Sequence, residues 1–93
     1  MDSNMSLFTQ INSLCYWFQK ETSYYCVMML DSEQDSYHIQ LKDDHSQIYA
    51  QQVSYFSTKS YELLEIELSS IAQSLVLIKR LYIENRKLVS QAV

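Results

Sequence analysis

Residues 23–56 read SYYCVMMLDSEQDSYHIQLKDDHSQIYAQQVSYF, and the fold turns on them. At the centre, Tyr37, Ile39 and Leu41 alternate with His38, Gln40 and Lys42. A period of two sends one set of side chains into a core and the other into water, so 37–42 is a strand. Upstream, 23–30 is apolar at nearly every position and carries the aromatic and β-branched residues that suit a pleated sheet. With no polar face, this strand is expected to be central and covered on both sides. Left on an open edge, an uncharged run of this kind invites pairing with another chain. Downstream, 47–56 places Tyr49, Val53 and Tyr55 on one face and Ile48, Ala50 and Phe56 on the other, a third strand. The joins at 31–36 (DSEQDS) and 43–46 (DDHS) are short and rich in Asp and Ser, whose side chains bond to nearby backbone. Three strands joined so briefly form an antiparallel meander.

On both sides of this segment the period lengthens to that of a helix. Leu7, Phe8, Ile11, Leu14, Cys15 and Phe18 share one face of a helix over 4–20, with Ser3 or Asn4 as its cap. Trp17 lies off that stripe and is a candidate for an external contact. After 56, Ser57 or Thr58 is expected to start a helix that meets no breaker and runs over 58–91. The fold class is therefore α+β, in the order α-β-β-β-α, as a single small domain of 93 residues.

Glycine and proline are both absent. Phosphate-binding loops, dinucleotide fingerprints, nucleophile elbows and EF-hands all need glycine, so each is excluded. Hydrophobic residues make up 47% and charged residues 19%, which is too apolar for a disordered chain. The net charge is −4 and is concentrated in the middle, where Glu21, Asp31, Glu33, Asp35, Asp43 and Asp44 face only Lys42. That field repels phosphate and disfavours nucleic acid. The uncharged apolar runs are too short to span a bilayer, and the start of the chain has no basic stretch before an apolar one. Cys15 and Cys26 sit in apolar settings and read as buried thiols of a reduced, cytoplasmic protein.

The last helix carries the functional signal. About 35 residues at about 1.5 Å each span roughly 50 Å, whereas a compact chain of this length has a radius of gyration of about 12 Å. Leu64, Leu68, Ile71, Leu75, Ile78, Tyr82, Asn85 and Val89 follow the alternating three-and-four spacing of a heptad seam, with Asn85 as a polar register-fixing insert. A second stripe of Leu63, Leu77, Leu81 and Leu88 runs beside it. One face can meet the sheet and the first helix, and the other wants a partner. Trp17, Leu77, Leu81, Tyr82, Asn85, Arg86 and Leu88 are the partner-binding candidates. An antiparallel homodimer centred near residues 75 and 76 would set Glu65 opposite Arg86 of the second copy.

Chemistry is thin. His38 and His45 lie near Asp43 and Asp44 but offer no close ligand pair, so neither a metal site nor acid–base catalysis is expected. No catalytic residue, cofactor or metal is assigned. The expected function is a non-catalytic protein–protein interaction module, a regulator, inhibitor or adaptor that occupies a surface of a larger protein. The alternative is a dimeric chaperone for a secreted or unstable client, and a small enzyme or metal-binding protein using His38 and His45 ranks third.

Overall fold

The computed structural model describes residues 3–92, with side chains described through Arg86. The order is α1 (Ser3–Glu21), β1 (Tyr25–Asp31), β2 (Ser36–Lys42), β3 (Gln47–Ser54) and α2 (Tyr61–Ala92). This is the α+β arrangement that the sequence periods imply. The three strands form one antiparallel sheet in the order β1-β2-β3.

Register fixes which side chains meet the helices. Leu41 stands between Cys26 and Tyr49, Ile39 between Met28 and Gln51, and Tyr37 between Leu30 and Val53. Directly opposed residues share a face, so these form the inner side of the sheet. Tyr37, Ile39, Leu41 and Val53 are buried there with Ile11, Leu14, Cys15 and Phe18 of α1 and Leu64, Leu68, Ile71, Ala72 and Leu75 of α2. Full burial of a Leu or Ile side chain contributes about 1.5–3 kcal/mol. The two helices run parallel along this face. At one end Asn4 Nδ2 donates to the Tyr61 carbonyl at 3.2 Å; at the other, the Trp17 and Tyr82 rings meet at 6.0 Å.

Several expectations are corrected. The first strand is not central: β1 is an edge, and the alternating strand β2 takes the middle. Met28, Met29 and Leu30 are 46%, 53% and 56% exposed. Its apolar character reflects an open edge, not burial on both faces. β1 begins at Tyr25 and not at 23, because Thr22 Oγ1 accepts the Tyr24 N–H at 3.0 Å and donates to the Phe18 carbonyl at 2.6 Å. That compact turn holds 22–24 out of the ladder.

β3 stops at Ser54 because Tyr55 takes a left-handed backbone, φ 56°. The Tyr55 carbonyl then accepts the N–H groups of Thr58 and Lys59 at 3.2 and 2.9 Å. α2 consequently starts at Tyr61, not at 58. Its cap is Ser60 and not Ser57 or Thr58: Ser60 Oγ accepts the Leu63 N–H at 3.2 Å and its carbonyl the Leu64 N–H at 3.0 Å. Asp35, also left-handed at φ 49°, ties the β1–β2 turn to the residues that follow β3. Its carbonyl accepts the Phe56 N–H and its Oδ1 the Ser57 N–H, both at 3.0 Å. Asp35 tolerates that backbone better than the bulky Tyr55 does.

The molecule measures 52 × 27 × 17 Å with a radius of gyration of 14.8 Å. It is a thin plate, one sheet and one helical layer, with α2 along its length.

Candidate interaction site

The partner-binding candidates fall into two groups. Leu77 and Leu81 lie on the outer side of α2 and are 53% and 51% exposed. Leu63 and Ile66, further back along the same helix, are exposed as well. Ile66 was not among the sequence candidates; its step of three from Leu63 is the signal that would have found it. Beside this row, Leu7 and Gln10 of α1 and Ala72, Val76, Leu77 and Arg80 of α2 line a groove of about 280 Å³ between the helices.

Trp17 and Tyr82 belong to the second group and meet each other instead of pointing away. Trp17 packs edge-on against Phe18 at 5.2 Å and Tyr82 at 6.0 Å, and Tyr82 packs edge-on against Tyr24 at 5.4 Å. Lys79 Nζ sits 4.7 Å from the centre of the Trp17 ring, and Arg86 Cζ 5.8 Å from that of Tyr82. These cation–ring contacts make Lys79 and Arg86 the lid of an aromatic cluster. Tyr24 inside it has its phenol raised above the ordinary value by burial and by Tyr82. Asn85 and Arg86 are exposed. The side chains of Leu88 and Val89 lie outside the described residues.

The heptad seam divides. Leu64, Leu68, Ile71 and Leu75 are buried in the chain's own core. Leu75 is 0% exposed, so the inner seam is already occupied and is not available to a second copy. Among the described residues, the exposed apolar side chains of α2 beyond its first residue are Leu63, Ile66, Leu77 and Leu81.

Three further features bear on function. Met5, Phe8, Leu30, Phe56, Tyr61 and Leu64 line an apolar cavity of about 290 Å³ at the N-terminal ends of the helices, beside the end of β1. His38 is half-buried on the outer face of β2 between Met29 and Gln52, while His45 lies in the β2–β3 turn. The strand ladder and the turn keep the two histidines on separate supports. Among the described residues, no three His, Cys, Asp or Glu side chains converge as a metal site would require. In that turn Asp43 Oδ1 accepts the His45 and Ser46 N–H groups at 2.8 and 2.7 Å, which holds its carboxyl below the usual range. The third feature, absent from the sequence candidates, is the meeting of Cys15 and Cys26. Cys15 lies in the core and Cys26 packs against that core from β1, so the two thiols bear on each other's ionisation. Eleven residues of separation and a change of element hid that contact.

Compared with known protein families, with curated proteins and with solved structures, the chain matches none. Among the described residues, no helix is long and apolar enough to cross a membrane.

Proposed function

We propose that this protein is a non-catalytic protein–protein interaction module, a regulator, inhibitor or adaptor acting in the cytoplasm on a larger partner. The observation that carries the reading is the half-exposed apolar row of α2, Leu63, Ile66, Leu77 and Leu81. Surface area supports it. A monomer of 11.0 kDa exposes roughly 5,600 Å², and this chain exposes 6509 Å². The excess, about 900 Å², is close to the roughly 800 Å² per partner of a standard interface. Arg80 beside Leu77, and Glu62 and Glu65 beside Ile66, favour a partner helix with an apolar face, an acidic group at one end and a basic group at the other.

The test is affinity capture on the wild-type protein, on Leu77→Glu/Leu81→Glu and on Tyr16→Glu, a control on exposed α1 surface. A stoichiometric protein retained by wild type and control but released by the double variant supports the reading. The same proteins on all three overturn it. Sedimentation equilibrium of the pure protein reports whether the row instead pairs two copies.

A second reading, a dimeric chaperone for a secreted or unstable client, is favoured by one observation. β1 offers an extended client segment an open strand edge that carries no charge from Tyr25 to Leu30. Suppressed light scattering of a chemically unfolded test protein, lost in Met29→Lys, would favour it over the first reading.

A further inference from the structure

Two thiols from different elements meet where α1 crosses β1. Cys15 lies on the buried face of α1. Cys26 lies on the helix-facing side of β1, opposite Leu41. One helical turn beyond Cys15, Phe18 stacks on Tyr24 at 6.1 Å, so the crossing is packed on the flank of the pair. Both thiols are free, and Cys26 packs against the core cluster that holds Cys15. Cys15 is enclosed at 2% exposure, while Cys26 is only half-buried and within reach of a reagent.

We propose that Cys15 and Cys26 form a redox-active dithiol, a modification site that a small-molecule disulfide of the glutathione class converts to an intramolecular disulfide joining α1 to β1. The neighbouring thiols shift each other, Cys26 downward and Cys15 upward, and burial raises Cys15 further. Exposure assigns the roles: the half-buried Cys26 is the attacking thiolate and the enclosed Cys15 the resolving thiol. Cys26 gives up its proton and its sulfur attacks one sulfur of oxidised glutathione. The glutathione S–S bond breaks, a Cys26–glutathione disulfide forms, and the first glutathione leaves and takes up a proton. Cys15 then loses its proton as its sulfur attacks Cys26 sulfur, which expels the second glutathione to be protonated in turn. Two protein thiols are oxidised and one external disulfide is reduced to two thiols. β1 is bonded to the sheet along one side only, so the new link fastens the most open strand to a helix. This inference is independent of the interaction reading.

The experiment exposes native protein to oxidised glutathione at neutral pH, followed by acid quenching, alkylation, intact mass and peptide mapping. The expected product has lost two hydrogens and both titratable thiols, yields one Cys15–Cys26 cross-linked peptide, and reverts in reduced glutathione. Amide exchange in β1 should slow several-fold on oxidation. Cys15→Ala should stop at a glutathione adduct on Cys26, and Cys26→Ala should leave Cys15 unmodified while circular dichroism shows the native fold. Wild-type protein that retains glutathione on Cys26, links only between molecules, or keeps both thiols while folded overturns the proposal. The wild-type map decides it even where a variant fails to fold.

Discussion

β1 and β3 flank the same central strand yet meet water in opposite ways. β3 presents Gln47, Gln51, Gln52 and Ser54, and its ladder to β2 shifts register between Leu41 and Lys42. An irregularity of this kind is one of the devices by which sheets discourage further pairing. β1 has none of them between Tyr25 and Leu30: no charge, no proline and no break in its ladder. Its Tyr25 hydroxyl is tied at 3.0 Å to Asp44 Oδ1, and its first charge is Asp31. One edge is polar with a break in its ladder, and the other is apolar and continuous. The same division recurs along α2, whose inner face fills the core while Leu77 and Leu81 stay half in water.

Both edges hang on β2, so the largest effect should come from the strand between them. Ile39→Ala empties a site that is 0% exposed and should lower stability by about 3 kcal/mol, read as a fall in the urea midpoint. An unchanged midpoint would mean that the edges hold without their centre. At the end of β3, Tyr55 occupies a left-handed backbone and its ring is mostly exposed. Tyr55→Asn should therefore raise stability by about 1 kcal/mol in the same titration. Met29→Lys and Gln52→Lys put one cation on each edge, and each should move folding stability by no more than about 0.5 kcal/mol. Only Met29→Lys should reduce light scattering of concentrated protein on warming, and equal behaviour of the two would abolish the contrast. The smallest effect lies in the β2–β3 turn. Asp43 has its carboxyl held low mainly by the His45 N–H and then by that of Ser46, so its contribution is complete above about pH 4. It is lost as pH falls through the lower folded value. The melting temperature of wild type should drop more between pH 5 and pH 2 than that of Asp43→Asn.

The element order was legible because periods of two and 3.6 are local properties, and the alternation at 37–42 marked β2 as a strand without ambiguity. The position of β1 was not legible. An apolar run records that a strand avoids charge, and an edge left bare writes the same letters as a strand buried on both faces. The start of α2 was missed for a related reason. Ser57, Thr58 and Ser60 are all competent caps, and the choice among them depends on Tyr55, whose left-handed turn no residue preference announces. Of the candidate site, the Leu77 and Leu81 row follows from counting more apolar positions than one helix face can bury. Trp17 and Tyr82 looked like spare surface until the parallel packing of the helices brought them together. Cys15 and Cys26 were separate small hydrophobes in the sequence, and only the crossing of α1 over β1 makes them a pair.

The plate shape has a thermal consequence. A chain of 93 residues ordinarily unfolds with a heat-capacity increase of about 1.1–1.4 kcal/mol/K. A plate with a bare outer sheet face keeps more of its apolar surface hydrated when folded, so its increment belongs at or below the lower figure. Its stability curve is correspondingly flat, changing little across the range in which a rounder protein of equal size would pass through a clear maximum. Covering α2 or β1 would restore the missing increment as a negative heat capacity of binding, a calorimetric mark that requires no knowledge of the occupant.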